Sequence, residues 1–253
     1  MPVGTAALLD SRRLENSYAT LIPLLKKGMH VIDVGCGTGA ISASIAEWMS
    51  GEGSVLGIDS SEHLIATGKA QYGSIPGLEL VHADLFGYTP SAKADLLISA
   101  RVLQWLSDPR AALNHIKEWL SPGGIVSILD YNHTRLEWTP QPPESMRRFY
   151  AAFLDWRADA GMDNEMAAHL PGHFEALGFH SIESIPADEV CHKGDPGLAI
   201  WSTVAETRGQ QMVRDGFVSE PDRLLALSEY NAWIRTDAEK MVMKLADVRG
   251  VYP

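Results

Sequence analysis

Apolar positions along this chain fall into two alternating patterns, and the alternation predicts a layered α/β fold. Short, largely apolar runs at residues 31–34, 55–58, 78–81, 94–99 and 125–129 fit parallel strands covered on both faces. Between them the apolar residues recur at helical spacing: over about 40–49, from a cap at Ser60 or Ser61 to about 72, and over 109–120 with Pro109 in the first turn. Gly51-Glu-Gly53, Pro76-Gly77 and Pro122-Gly123-Gly124 supply the breaks and turns. Five strands joined by helices imply right-handed crossovers, and in such sheets ligands bind outside the carboxyl ends of the strands.

The flanks follow other patterns. Leu14, Tyr18, Leu21, Ile22 and Leu25 predict a helix over 10–25, capped by Asp10 or Ser11, which either packs on the domain edge or closes over a ligand as a lid. Trp138-Thr-Pro-Gln-Pro-Pro143 breaks the chain after the fifth strand, and Met146, Phe149, Tyr150, Phe153, Leu154 and Trp156 then form an aromatic helical face. That face either caps a ligand or anchors its own helix. Residues 165–177 read as a further helix with Pro171 near a break, 181–185 as a sixth strand and 241–252 as the last. The helical stretch 198–236 between them, carrying Trp201, Tyr230 and Trp233, is longer than a hairpin needs and is expected to help wall a site.

Chemistry concentrates where the predicted strands end. Asp33-x-Gly35-x-Gly37-x-Gly39 follows the first strand, Asp59 the second, Asp84 the third and Arg101 the fourth. A lone acid in a loop is usually just solvated, but a shared position after successive strands is what a ligand site requires. Asp59, 20 residues after Gly39, suits a carboxylate that accepts hydrogen bonds from ribose hydroxyls. Gly35-Cys-Gly37-Thr-Gly-Ala40 also satisfies a dinucleotide fingerprint. Two points favour a sulfonium cofactor instead: Asp33 would repel a pyrophosphate but attract an ammonium group, and Asp84 supplies an acceptor for adenine.

With His82-Ala-Asp84-Leu85 and Leu120-Ser-Pro-Gly-Gly124 added, the pattern resembles the class I S-adenosylmethionine-dependent methyltransferases. Within them it is most similar to the small-molecule branch that includes the ubiquinone and menaquinone biosynthesis enzymes. The resemblance spans about residues 28–130 and implies a Rossmann-like, seven-stranded, mostly parallel sheet with helices on both faces, an antiparallel last strand and helical cap insertions. It further implies S-adenosyl-L-methionine as cofactor, with Gly35, Gly37 and Gly39 against its methionine part, Asp59 at the ribose, and Asp84 with Leu85 at the adenine, Ser60 also belonging to the expected cofactor set. Asp33 and Ser99 complete the expected cofactor set. The organisation expected is an N-terminal helix and possible lid at 1–27, a cofactor-binding core at 28–135, a helical cap and return at 136–180, and the last two strands with their insertion at 181–253.

Methyl transfer needs placement more than chemistry, because the sulfonium carries the driving force. The expected acceptor is a small, aromatic or apolar metabolite methylated on O, N or C by direct displacement. A non-catalytic cofactor-binding protein and methylation of a protein acceptor are the alternatives. Arg101 is expected to bind the cofactor carboxylate or an anionic acceptor, its plain alternative being a surface salt bridge. His133 is the expected general base, against a solvated loop histidine. Tyr18, Trp105, Tyr131, Phe149, Phe153 and Trp201 are expected to line the acceptor site, although for most of these aromatics simple packing is the competing role.

Composition narrows the classes. A chain of 253 residues with 45% hydrophobic content can bury a full core. Its net charge of −11, from 32 acidic and 21 basic residues, argues against a nucleic-acid partner. No secretory pattern and no apolar run of bilayer length is present, so a cytoplasmic protein without membrane insertion is expected, as monomer or homodimer. Cys36 and Cys191 offer neither a disulfide framework nor a zinc spacing, and His169, His173, His180 and His192 do not cluster, so no metal is assigned.

Overall fold

The computed structural model describes residues 12–253. Its strands in chain order are β1 (His30–Val34), β2 (Ser54–Asp59), β3 (Leu78–His82), β4 (Ala94–Ala100) and β5 (Leu120–Tyr131), followed by β6 (Glu137–Thr139), β7 (His180–Pro186), β8 (Glu189–His192), β9 (Lys240–Met243) and β10 (Leu245–Val251). Seven of them form one sheet in the order β3-β2-β1-β4-β5-β10-β7. The first five are parallel, and β10 lies between β5 and β7, antiparallel to both. The strand order reverses between β1 and β4, which opens a crevice at the carboxyl end of β1, directly before the glycine loop.

Each central strand is buried on both faces because consecutive side chains point to opposite sides. Val31, Val55 and Leu96 face one core cluster, and Ile32, Leu56 and Leu97 face the other. The helices that cover the sheet begin with α1 (Leu14–Ser17), α2 (Ala40–Met49), α3 (Glu62–Tyr72) and α4 (Pro109–Ile116). In α4 Asp108 caps the helix by accepting from the Ala111 amide at 2.8 Å, and Pro109 occupies the first turn, where its missing N–H costs nothing. The remaining helices are α5 (Glu144–Asp159), α6 (Met166–Ala176), α7 (Ile200–Thr207), α8 (Gly209–Arg214) and α9 (Glu220–Thr236). Phe149, Phe153, Trp201 and Tyr230 from this group join the same cluster as Val31 and Leu129, so the cap and the sheet share one core.

Several boundaries differ from the sequence reading. The expected last strand, 241–252, is split at Lys244: β9 leaves the main sheet and pairs with β6 and β8 in a three-stranded antiparallel sheet. At the corner the Lys244 ammonium meets Asp188 at 2.9 Å and Glu137 at 3.3 Å. The N-terminal helix is also interrupted, since Tyr18 leaves helical geometry and a 3-10 turn, Ala19–Leu24, follows. Leu14, Tyr18, Leu21 and Leu25 are nevertheless buried, as the periodicity requires. Arg13 occupies the cap position, and the expected caps Asp10 and Ser11 lie outside the described residues. The helix α6 runs through Pro171 without a break, and β5 already includes Pro122, Gly123 and Gly124. Among the described residues no helix is long and apolar enough to cross a membrane.

Candidate active site

A cavity of about 680 Å³ opens at the switch point and runs from the ends of β1, β2 and β3 towards α5 and α7. At its floor the chain leaves β1 through Gly35, whose φ of 74° lies in the left-handed region; a Cβ there would stand 2.4 Å from Val102. The loop is held in place by backbone bonds, with the Gly35 and Cys36 amides both donating to the Ile58 carbonyl. Helix α3 presses on the same loop from outside. Gly68 approaches it so closely that a Cβ would lie 2.0 Å from the Thr38 carbonyl oxygen, a constraint that spacing alone does not reveal.

Two acids define the polar rim near the loop. Asp59 accepts from the Gly37 amide at 2.9 Å and from the Ser61 amide at 2.8 Å, which fixes its carboxylate against the glycine loop. Asp33 is buried, accepts from the Ser42 hydroxyl at 2.6 Å, and lines the cavity. Burial pushes its carboxyl up to about 7, against the Ser42 hydrogen bond and with a further push from the Asp59 charge. A partly protonated carboxyl held by the Ser42 hydroxyl is poised to ionise fully beside a cation. Further along, Asp84 accepts from the Phe86 amide at 2.9 Å, and Asp84, Leu85 and the half-exposed Phe86 form the far wall.

The other half of the cavity is aromatic and cationic. Tyr131, Phe153, Trp156 and Trp201 line it. Trp201 is central to the packing, with ring centroids 4.5 Å from Tyr150 and 5.4 Å from Phe153. Arg101 also lines the cavity, in a left-handed backbone conformation with φ of 63° that a residue with a Cβ rarely adopts. Its Nε donates to the Tyr131 hydroxyl at 3.1 Å, and Nη2 donates to the Ser17 carbonyl at 3.1 Å and to Glu189 of β8. Burial opposes the Arg101 charge, but Glu189 and Tyr131 outweigh it and hold the guanidinium ionised. Burial, reinforced by Glu189, raises the Tyr131 hydroxyl to about 12.

His133 differs from the sequence expectation. It lines the cavity, but its ring is stacked on Tyr131 at 5.1 Å and its Nε2 is 2.5 Å from Gln104 Oε1. Burial, with the Arg157 charge adding to it, pushes its pKa down to about 3. A base that weak is poorly matched to proton abstraction near neutral pH, and its Nε2 is engaged with Gln104. The orientation descends from Arg157, which is fully buried and lies over Trp105 at 4.8 Å and over Phe153 at 5.5 Å. Its Nη2 donates to the Gln104 carbonyl at 2.8 Å, while the Gln104 amide donates to Asp130 at 3.1 Å.

Four other expected positions lie away from the cavity lining. Ser99 faces the sheet interior and donates to the Val34 carbonyl at 2.7 Å. Tyr18 reaches under the sheet to Ser127 at 2.9 Å, and Phe149 packs in the core against Gly209. Gly39 shapes the loop from behind, where it begins α2 and contacts Leu80. The cavity does collect Asp33, Gly35, Gly37, Asp59, Ser60, Asp84, Leu85, Arg101, Trp105, Tyr131, His133, Phe153 and Trp201. Sequence reasoning missed Arg12, Glu189 and Arg208, each remote in the chain from the strand-end motifs and without a local pattern. Among the described residues no group of His, Cys, Asp and Glu converges as a metal site.

Comparison with known proteins supplies an independent view. Residues 25–173, more than half of the chain, match the family model described as a methyltransferase domain. A trans-aconitate 2-methyltransferase from Azoarcus sp. is 32% identical over 44% of this chain and 45% of its own length. A malonyl-[acyl-carrier protein] O-methyltransferase from Ilyobacter polytropus is 31% identical over 43% of this chain and 40% of its own length. The match therefore spans less than half of each curated relative. In fold, the chain is similar over its whole length to an S-adenosylmethionine-dependent methyltransferase from Aquifex aeolicus, with TM-score 0.57, 16% identity and full coverage of both chains. It is also similar to Haemonchus contortus phosphoethanolamine N-methyltransferase 2, solved with S-adenosyl-L-methionine, with TM-score 0.55, 16% identity and coverage of 93% of this chain and 53% of the other.

Proposed function

The chain belongs to the methyltransferase-domain family, whose cofactor is S-adenosylmethionine, and from that premise we propose that it methylates an O, N or C atom of a small molecule held in the same cavity. The observation that carries this reading is continuity: one cavity of about 680 Å³ joins the strand-end acids to the aromatic wall, a size that suits a cofactor and a small acceptor together.

The residues fit the cofactor. The glycine loop allows close approach to its backbone, and the buried Asp33 carboxyl, which accepts from the Ser42 hydroxyl, complements an ammonium group. Asp59 would hold the ribose, since each of its oxygens accepts one backbone N–H and retains capacity for a hydroxyl. Asp84 and Leu85 would border the adenine. When bound, the sulfonium supplies an electrophilic methyl group and a neutral leaving group.

What the chain itself contributes is placement and exclusion. Phe153, Trp156 and Trp201 wall the acceptor half, keep water away from the reacting centre and strengthen electrostatic contacts within it. Tyr131 and Arg101, braced by Glu189, present polar atoms towards that half. The test is incubation of the protein with S-adenosylmethionine carrying a radiolabelled methyl group and an extract of small metabolites. Label should move into a small organic product only when active protein is present. Bound cofactor with no labelled product across diverse extracts would contradict methyl transfer.

A further inference from the structure

Among the described residues, two guanidiniums at the acceptor half of the cavity, Arg12 and Arg101, have less than matching negative charge. Arg101 is 5% exposed, and its Nη1 is buried without a hydrogen-bond partner, although Nε and Nη2 are well engaged. Arg12 lines the same cavity and lies close enough to Arg101 for their charges to oppose one another. Among the described residues the carboxylate that faces both is Glu189. One acid against two guanidiniums leaves a net positive charge in a desolvated place, which is costly unless an anion completes the cluster. Arg101 moreover has a left-handed backbone, with φ of 63°, and its amide donates to the Leu129 carbonyl at 2.7 Å.

We propose that the methyl acceptor is a small carboxylic acid, its carboxylate held by Arg12 and Arg101 and one of its oxygens receiving the methyl group. This rests on the reading of the cavity as a methyl-transfer site. It also replaces the expectation of a merely apolar acceptor: the aromatic wall takes the body of the molecule and the arginines take its charge.

The remaining groups agree with such an acceptor. Hydroxyl, ammonium and carbon-acid acceptors must lose a proton, and the ionisable groups that face the acceptor half are poorly matched to taking it. His133 is pushed down to about 3 by burial, and the Tyr131 hydroxyl is raised to about 12. Glu189 has its ordinary value raised by burial but lowered further by Arg101 and Arg12, so it stays ionised and committed to the arginines. A carboxylate needs no base at neutral pH. One oxygen lone pair forms the new O–C bond, the C–S bond breaks with its electron pair passing to sulfur, and no proton moves. The product is a methyl ester without negative charge, which weakens its hold on the arginines and favours release.

The chemical nature of the product tests this directly. Radiolabelled methyl transferred to a carboxylate is released as volatile methanol by brief alkali treatment, whereas label on an ether oxygen, nitrogen or carbon stays in the product. Alkali-labile label is the expected result, with Arg12→Gln raising the KM for that product's parent acid by ~10-fold while cofactor affinity changes by less than ~2-fold. Alkali-stable label would overturn the proposal and leave methyl transfer standing. Alkali-labile label with an unchanged KM in Arg12→Gln would overturn the anchoring by arginine. Should no product be labelled, the methyl-transfer reading fails, and calorimetry still decides the anion site: benzoate should bind at least ~10-fold more tightly than benzamide, and equal affinities would overturn it.

Discussion

The two halves of the cavity are built in different ways. The cofactor half draws on residues 33–86, most of them at the end of a strand or in the loop that follows it, with Ala40 and Ile41 from the first turn of α2. The acceptor half gathers Arg12, Arg101, Tyr131, Phe153 and Trp201 from five separated segments, with Glu189 bracing Arg101 and Tyr131 from outside the lining, and its aromatic wall belongs to the main core cluster. A site made from strand ends can lose a contact while the fold survives. A site made from core side chains cannot be cut without loosening the protein.

The largest expected effect lies in the acceptor half. Trp201→Ala removes a fully buried ring that contacts Tyr150 and Phe153, and should cost ~3–5 kcal/mol in denaturant unfolding. Phe86→Ala, at a ring 52% exposed on the cofactor side, should stay within ~0.5 kcal/mol. Similar losses in the two variants would erase the contrast between the halves.

Next in size is Gly35→Ala. The added Cβ meets Val102 at 2.4 Å in a backbone conformation with φ of 74°, so a stability loss of ~1–3 kcal/mol is expected together with at least ~10-fold weaker cofactor binding. Near wild-type affinity would mean that the loop relaxes without disturbing the cradle.

A pH titration sharpens the comparison further. The Asp33 carboxyl, ordinarily near 3.8, is pushed up to about 7 by burial in the folded protein. The folded state therefore holds a proton that the unfolded chain releases first, so this group's contribution to stability is greatest below about pH 4 and is lost as pH rises through about 7. Cofactor binding should run the opposite way, because an ammonium group favours the ionised carboxylate. Affinity should fall as pH drops below 7, by at most ~10-fold per pH unit. Asp33→Asn should flatten both profiles, and persistence of the pH dependence of binding in that variant would remove Asp33 from the cofactor site.

The smallest effect is assigned to His133→Ala. Because His133 is neutral well above pH 3, the activity profile from pH 6 to 9 should keep its shape, with kcat within ~3-fold of wild type. Loss in the variant of a wild-type activity rise from the acidic side of that profile would restore His133 as the general base.

The same contrast explains what the sequence made legible. Strand-end chemistry has fixed spacing, so Asp33, Asp59 and Asp84 could be read from periodicity and turns, as could the sheet itself up to β5. Glu189 has no such signal, because its pairing with Arg101 depends on β8 and β9 forming a sheet apart from the main one, and the chain turns there at Lys244, a single polar residue between apolar runs; Arg12, opposed to Arg101 by charge, lies far from it in sequence. Tyr18 and Phe149 show the opposite failure: an aromatic at helical spacing reads alike whether it faces a ligand or the core, and here it faces the core. Gly68 was hidden for a third reason, since its requirement comes from the carbonyl of Thr38 on a neighbouring element.

The central claim is that the strand-end acids hold an adenosine-bearing cofactor. Calorimetric titration of S-adenosylhomocysteine into wild-type protein and Asp59→Ala tests it most directly, with thermal unfolding of both as the control for folding. Binding at one site per chain, weakened at least ~10-fold in a variant that remains folded, is the result predicted. Equal affinity in the two folded proteins, or no binding to the wild type, would contradict it.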